Sequence, residues 1–167
     1  MSDHRVRVEK DYTGFSAAHF ITYDGHECEY LHGHNYRVAV SLEGALDRNF
    51  YVFNFVPLKR MLREVANQLD HKLLLAQDNP HLVIETDEES IRVTYPAKHK
   101  RYVFPRAEVV LLPIPNTTAE MLATWICKQM RDALAAHDTR DLSAIEIEVE
   151  ESPGQRAFYR EAWHDNV

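Results

Sequence analysis

The segment 26–34, HECEYLHGH, concentrates side chains that bind metals or react. His32 and His34 are one residue apart, so in a β-strand both imidazoles project from the same face. Two such imidazoles can hold one metal ion, because histidine is the commonest metal ligand. The best candidate for a third ligand is His19 in FSAAH, at the end of a predicted strand. Three neutral histidines with one open position are typical of a catalytic zinc site.

Cys28 lies within the same polar segment. A zinc ion or an imidazolium nearby would lower the pKa of its thiol and supply thiolate near neutral pH, which favours a reactive cysteine. The alternative is an inert buried thiol. Cys127 falls inside a predicted helix and is expected to fill the core. The two cysteines lack the close spacing that a structural Cys₂His₂ zinc site requires.

Asp70 and His71 directly follow a predicted helix, where a carboxylate and an imidazole could form a proton relay. Adjacency in sequence alone does not guarantee a hydrogen bond between them. His26 stands at no obvious ligand spacing. The remaining histidines are expected to be exposed in termini, loops or helix ends: His4, His81, His99, His137 and His164.

Length and composition indicate one globular domain over residues 1–167, with 45% hydrophobic and 27% charged residues. The net charge of −7 argues against nucleic acid as a partner. No apolar run reaches the roughly 20 residues of a membrane helix, and the start MSDHRVRVEK lacks a secretory apolar region. A reduced cytoplasmic setting is therefore expected. The basic segment 98–106, KHKRYVFPR, is interpreted as a solvated loop, with phosphate binding as the alternative.

The elements that must position these residues alternate between strand and helix patterns. Predicted strands include RVRVEKDY, NYRVAVSLEG, YVFNF, AIEIEVEE and RAFYRE, and three shorter ones, HLVIET, IRVTY and AEVVLL, fall within 76–115. One predicted helix opens at Pro57, and a second follows NTTAE, where Thr117 and Glu120 have capping-box spacing. Hairpin-like strand pairs around two helices predict an α+β fold with an antiparallel sheet.

Five motifs in this order resemble the 6-pyruvoyl-tetrahydropterin synthase and 6-carboxy-tetrahydropterin synthase family. They are FSAAH, CEYLHGHNY, LDH, NTTAE and EESPGQRAFYR. The resemblance covers most of the chain and implies the tunnelling fold, a four-stranded antiparallel sheet with two helices on one face. It also implies trimers that pair into homohexamers, with active sites at subunit interfaces. Residues 76–115 form an insertion between the helices relative to that pattern.

The resemblance also implies roles for individual residues. Zinc would be held by His19, His32 and His34; Cys28 would move protons; Asp70 and His71 would form the relay; and Thr118 and Glu151 would contact the pterin ring. Glu151 is chosen over Glu150 because it directly precedes SPGQRAFYR, and its carboxylate suits a guanidine-like edge. For Thr118 the alternative is simple helix capping.

The implied substrate is 7,8-dihydroneopterin triphosphate, with zinc acting as a Lewis acid on the side-chain hydroxyls. The spacing from Cys28 to His32 favours the carboxy branch, whose product 6-carboxy-tetrahydropterin feeds queuosine and deazapurine synthesis. The alternatives are the pyruvoyl branch and folate-branch cleavage to 6-hydroxymethyl-dihydropterin. Glu29 bears on the last of these, because a folate-pathway subgroup is similar in having a catalytic glutamate three residues before the HGH motif. The other reading of Glu29 is a solvent-facing acid.

A non-catalytic metal-binding module is the alternative from another class. Cupin barrels also use a His-x-His pair, but they resemble a pattern with a glutamate a few residues later, and here the acid is delayed to Glu43. The sequence leaves open the purpose of the insertion and the residues that hold the triphosphate. The candidates for phosphate contacts are Lys98, Lys100, Arg101 and Arg106.

Overall fold

The structure is a computed structural model that describes residues 4–163, which form twelve strands and two α-helices. The strands are β1 (His4–Glu9), β2 (Phe15–His19), β3 (Thr22–Tyr23), β4 (Glu27–Cys28), β5 (His32–Gly44), β6 (Lys72–Ala76), β7 (Val83–Thr86), β8 (Ser90–Tyr95), β9 (Lys100–Pro105), β10 (Val109–Leu112), β11 (Leu142–Ser152) and β12 (Gln155–Ala162). The helices are α1 (Phe55–Asn67) and α2 (Ala119–Leu134). Within the described residues, neither helix is long and apolar enough to cross a membrane.

The long strand β5 is the centre of a seven-stranded sheet. On one side it pairs antiparallel with β2 along its first half and with β1 along its second half. On the other side it pairs antiparallel with β11, which in turn pairs with β12. The predicted α+β tunnelling fold is confirmed. Two short parallel strands, β6 and β10, extend the predicted four-stranded sheet beyond β2.

One face of this sheet is apolar because its strands alternate. Val38, Val40 and Leu42 of β5 are almost fully buried in the same core as the buried residues of both helices. The opposite face carries cross-strand ion pairs, including Arg5 with Glu146, so the helices pack on the apolar face. This two-sidedness fixes the register of β5, since a slip of one residue would turn its apolar side chains to the charged face.

The helix starts differ slightly from the sequence predictions. The side chain of Asn54 accepts a hydrogen bond from the Val56 backbone N–H at 2.8 Å and caps α1, so the predicted strand YVFNF is wrong. Pro57 lies in the first turn, as proline tolerates. The cap of α2 is Thr118 rather than the predicted Thr117, because the Thr118 hydroxyl accepts from Met121 N.

Residues 76–115, the predicted insertion, contain a three-stranded sheet of their own. Strands β7, β8 and β9 pair antiparallel, while β10 returns to the main sheet, so the three predicted short strands are confirmed. The predicted solvated loop at 98–106 is wrong, because most of it is strand β9. There the half-buried Tyr102 and Phe104 alternate with the exposed Arg101, Val103 and Pro105, and Tyr102 stacks on Phe20 with ring centroids 5.6 Å apart. Under this sheet lies a second apolar cluster, called here the insertion cluster: Phe20, Cys28, Leu73, Leu75, Ile91, Val93 and Tyr95.

Between β2 and β5 the chain forms a small hairpin from β3 and β4, in the segment predicted to be irregular. Asp24 and Gly25 take positive φ angles of 50° and 70° in its turn, a conformation that both residue types adopt readily. The hairpin therefore places Cys28 and Glu29 shortly before the two histidines that begin β5.

Candidate metal centre and active-site cleft

The three predicted metal ligands meet on one face of the β2–β5 pair. His19 lies directly opposite His32 in the antiparallel register, and His34 follows two residues along β5. The three rings have centroids 4.8 to 5.3 Å apart, and one nitrogen from each lies within 4.8 Å of the other two. This group could hold a single metal ion.

Hydrogen bonds from the opposite ring nitrogens orient two of these histidines. His19 Nδ1 lies 2.9 Å from the carbonyl oxygen of Thr117, and His32 Nδ1 lies 2.8 Å from that of Tyr30. A carbonyl oxygen only accepts, so each Nδ1 carries the proton and each Nε2 presents its lone pair. Backbone carbonyls commonly orient metal-binding imidazoles in this way.

Burial keeps His19 neutral. Its side chain is 1% exposed, and this burial lowers the pKa of its imidazole to about 4, outweighing the hydrogen bond to Thr117. Neutral imidazole is the form that binds a metal, so this site is set for a cation at neutral pH.

His19 and His32 border a cleft of about 540 Å³ between the start of α2 and the turn from β11 to β12, whereas His34 lines a neighbouring cleft. Three carboxylates line the cleft of His19 and His32, those of Glu29, Glu120 and Glu151. Glu151 Oε1 lies 3.5 Å from His19 Nε2 and 3.8 Å from His34 Nε2. The cleft therefore suits a ligand with N–H donors next to a metal ion.

The neighbouring carboxylate, Glu150, belongs to the other face of β11. It accepts a hydrogen bond from the Gly154 backbone N–H at 2.9 Å and pairs with Arg156 at 3.2 Å. These bonds, the one from Gly154 first, lower the pKa of Glu150. Of the two acids, Glu151 is the one that lines the cleft, and its contact with a pterin ring stays a prediction.

Glu29 and Cys28 also face opposite ways. Glu29 lines the cleft, with its Oε2 atom 3.9 Å from His32 Nε2 and 3.3 Å from the donating backbone N–H of Ile21. Cys28 is 7% exposed and packs in the insertion cluster, where burial raises the pKa of its thiol. Cys28 is not among the residues that line the cleft, so its proposed catalytic role stays a prediction.

The Asp70–His71 pair forms, but it does not face this cleft. His71 Nδ1 lies 3.0 Å from Asp70 Oδ2, and Asp70 also accepts a hydrogen bond from the Ser16 N–H at 2.8 Å. The Ser16 bond, and then His71, lower the pKa of Asp70. The His71 side chain is 83% exposed and lines a separate cleft that also includes His34 and Asn35. The pair therefore borders a cleft that it shares with His34, and its role as a proton relay stays a prediction.

Comparison with known proteins identifies the family. A family model described as 6-pyruvoyl tetrahydropterin synthase matches residues 7–162. The chain belongs to the 6-pyruvoyl tetrahydropterin synthase family. An enzyme of this family is a lyase that acts on a pterin substrate.

Individual relatives of the family span nearly the whole chain. A protein of Methanocaldococcus jannaschii with the provisional name 6-carboxy-5,6,7,8-tetrahydropterin synthase is 36% identical over 148 residues, which cover 87% of this chain and 88% of that protein. The solved 6-pyruvoyl tetrahydropterin synthase of Plasmodium falciparum is 32% identical with a TM-score of 0.91, and the match covers 98% and 100% of the two chains. The Plasmodium vivax enzyme, solved with a catalytic glutamate replaced by alanine, matches at 31% identity, a TM-score of 0.91 and the same coverage.

Two polar residues of the candidate site were not singled out from the sequence, Tyr36 beside His19 and Glu120 in the cleft lining. Tyr36 is 2% exposed, and its hydroxyl lies 3.2 Å from His19 Nε2 and 3.5 Å from Glu151 Oε1, to which it can donate. Burial, and then the charge of Glu151, raise the pKa of Tyr36. The two-residue period of β5, which places His32 and His34 on one face, also predicts that Tyr36 lies on that face. Glu120 was read only as a helix cap, although the start of α2 brings it to the cleft.

The other histidines lie largely where they were predicted. His4, His26, His81 and His99 are exposed, and His137 is half-buried with its ring 5.6 Å from that of Phe53. His164 lies outside the described residues.

Lower pH should destabilise the metal-free protein through His19. Its pKa of about 4 in the folded chain is below the ordinary 6.5, so between these values the unfolded state binds the extra proton. The free energy of unfolding should therefore fall by up to about 3 kcal/mol as pH drops through this window. Urea titrations at pH 7 and pH 4.5 measure the difference. His19→Gln should remove most of it, and equal pH dependence in the two proteins would contradict the assignment.

Replacing Thr118 should separate its two possible roles. Thr118→Ala removes the α2 cap and should cost about 1 kcal/mol of unfolding free energy. Thr118→Asp keeps a capping oxygen and should restore stability, while it places a further negative charge beside the acids of the cleft. If Thr118 also contacts the pterin, the substrate KM should rise in both variants. An unchanged KM in Thr118→Ala would leave Thr118 as a cap alone.

Proposed function

We propose that the protein is a zinc-dependent lyase that acts on 7,8-dihydroneopterin triphosphate and forms 6-carboxy-5,6,7,8-tetrahydropterin, a queuosine precursor. The observation that carries this proposal is the convergence of the His19, His32 and His34 imidazoles beside a cleft that Glu29 and Glu151 line. The name of the Methanocaldococcus jannaschii relative supports the carboxy product.

The donor set favours zinc. His19, His32 and His34 offer three neutral nitrogens, as catalytic zinc sites do, whereas Mg²⁺ and Ca²⁺ prefer oxygen ligands. Zinc bound there would act as a Lewis acid that acidifies the side-chain hydroxyls of the substrate. The hydrogen bonds to Thr117 and Tyr30 would keep the rings aimed at it.

The carboxylate of Glu151 would orient the pterin. It can accept two parallel N–H bonds from the guanidine-like edge of the ring, and Tyr36 helps to fix its position. Three acids outnumber Arg156, the cation among the lining residues, so the net charge of the cleft would favour phosphates that point out of it. That orientation leaves the substrate side chain next to the imidazoles.

Proton transfer within the cleft is assigned to Glu29. Its carboxylate would move protons between the side-chain carbons as the triphosphate leaves. After water adds to the side-chain carbon attached to the ring, it would take the proton of that hydroxyl as the neighbouring carbon–carbon bond breaks, so that this carbon becomes the carboxylate, and would return a proton to the carbon that is released as acetaldehyde. The catalytic glutamate of the Plasmodium vivax enzyme supports a carboxylate in this role. Cys28, with its thiol in the insertion cluster, would reach the substrate only after a local rearrangement.

The relay formed by Asp70 and His71 would serve a neighbouring subunit. Its exposed imidazole lies outside the histidine cleft of its own chain, and in the proposed homohexamer active sites lie at subunit interfaces. A site would then combine the metal and Glu29 of one subunit with His71 of the next.

The position of Glu29 favours a second candidate reaction, cleavage to 6-hydroxymethyl-dihydropterin. This is the outcome that the resemblance to a folate-pathway subgroup implies for a glutamate at this spacing, and Glu29 rather than Cys28 lines the cleft. The reaction needs the same metal and the same pterin contacts.

Mass spectrometry of the products separates these functions. Zinc-loaded protein incubated with 7,8-dihydroneopterin triphosphate should yield 6-carboxy-tetrahydropterin with acetaldehyde and triphosphate. Formation of 6-hydroxymethyl-dihydropterin would instead establish the second candidate, and 6-pyruvoyl-tetrahydropterin would establish the pyruvoyl branch. Zinc uptake without any product would overturn the proposal and indicate a metal-binding module.

A further inference from the structure

We propose that Lys100 of the insertion is a positioning residue that holds the Cys28–Glu29 segment so that Glu29 faces the metal cleft and Cys28 faces away. This inference deepens the proposed function and rests on it for the role of Glu29. The insertion would then contribute to the geometry of the active site.

A single ammonium group binds three consecutive residues of that segment. Lys100 Nζ donates to the carbonyl oxygen of Cys28 at 2.7 Å and to that of Glu29 at 2.9 Å. It also lies 4.6 Å from the ring centroid of Tyr30. Hydrogen bonds from a charged donor are stronger than those between neutral groups, so Lys100 fixes the direction of two successive carbonyls.

The direction of those carbonyls determines where the side chains point. Successive residues of an extended chain project to opposite sides, so only one of Cys28 and Glu29 can enter the cleft. The segment itself is weakly held, because β4 ends at Cys28 and β5 begins only at His32. Besides Lys100, the Cys28 thiol donates to the Glu29 carbonyl at 3.5 Å, and Glu29 is bound to Ile21 through its N–H to the Ile21 carbonyl at 3.0 Å and its carboxylate to the Ile21 N–H.

The insertion also supplies the pocket that receives the thiol. Cys28 packs in the insertion cluster with Ile91, Val93 and Tyr95, all of which belong to β8. Strand β8 pairs directly with β9, where Lys100 lies opposite Tyr95. One rigid sheet therefore buries Cys28 and binds its carbonyl oxygen, and both contacts favour the same orientation of the segment.

Lys98 provides a matched comparison within the same insertion. It contacts the same hairpin, but through an ion pair with the Glu27 side chain at 2.7 Å. Both partners are partly exposed, and such surface pairs contribute little. Loss of this pair leaves the Cys28 and Glu29 carbonyls bound to Lys100. Replacing Lys98 therefore tests whether the loss of any lysine near the hairpin is enough to expose Cys28.

The first experiment measures thiol exposure and requires no activity. Iodoacetamide labelling of native protein, quantified by peptide mass spectrometry, reports Cys28 separately from the fully buried Cys127. Lys100→Met should raise the Cys28 labelling rate about tenfold through local opening, with Cys127 unchanged. Lys98→Met should label Cys28 as the wild type does. Equal increases at both cysteines would indicate global unfolding and overturn the positioning role.

The second experiment measures turnover of the pterin substrate. Lys100→Met should lower kcat by about 100-fold, as misplacing a catalytic group by an ångström does, while KM changes much less. Lys100→Arg keeps a cation and should recover part of the loss. Wild-type kcat and wild-type Cys28 labelling in Lys100→Met would overturn the inference. If the wild type turns over nothing but Lys100→Met still exposes Cys28, the positioning stands and the proposed function fails.

Discussion

His32→Ala should abolish zinc binding in the cleft and reduce turnover to background. His32 supplies one of three converging nitrogens, and a zinc site left with two protein ligands loses most of its binding free energy. Because removal of an outer-shell partner alone costs 10- to 100-fold in affinity, loss of a ligand should cost more than about 100-fold. Calorimetric zinc titration and the absorption spectrum of the cobalt-substituted protein measure the effect.

The fold should survive this substitution. The His32 side chain is 38% exposed, so its truncation leaves little cavity in the core. His26→Ala is the matched control, because that side chain is 70% exposed and lies in the same segment outside the ligand group. Full zinc affinity in His32→Ala would mean that the metal binds elsewhere.

Glu29→Gln should lower kcat by about 100- to 10,000-fold while zinc binding is retained. The amide keeps the size of the side chain and its contact with the Ile21 N–H but cannot take up a proton, and general acid–base groups contribute rate factors of this size. Steady-state kinetics with product identification is the measurement. A large loss of kcat with unchanged zinc affinity assigns the role to proton transfer.

Cys28→Ala determines which of the two neighbouring residues carries the chemistry. If the thiol is the catalyst, as the family resemblance implies, the loss of kcat will follow Cys28→Ala and Glu29→Gln will retain activity. The products distinguish the branches further, because the two variants can differ in the ratio of 6-carboxy-tetrahydropterin to 6-hydroxymethyl-dihydropterin. Unchanged turnover in Glu29→Gln would remove Glu29 from the proposed mechanism.

The local pattern of the sequence determined most of the metal centre. The two-residue period of a strand places His32 and His34 on one face, and the same period places Tyr36 with them. Apolar residues recur at steps of three and four along both helices and are buried: Leu58, Met61, Leu62 and Val65 in α1, and Leu122, Ile126, Met130 and Leu134 in α2. These features depend on residues a few positions apart, so they can be read without the fold.

Contacts between distant segments decided the rest. Alternation requires Cys28 and Glu29 to face opposite sides, but which of them enters the cleft depends on what packs against each side. The insertion cluster takes up the thiol, and Lys100, 72 positions from Cys28 along the chain, binds the carbonyls. The sequence around Lys100 was interpreted as a solvated loop because it is rich in positive charges. Its apolar side chains are explained only by contacts with Phe20 and with the neighbouring strand β8. Long-range packing of this kind leaves no periodic signal in a single sequence, which is why only the tertiary structure could select the residue that faces the metal.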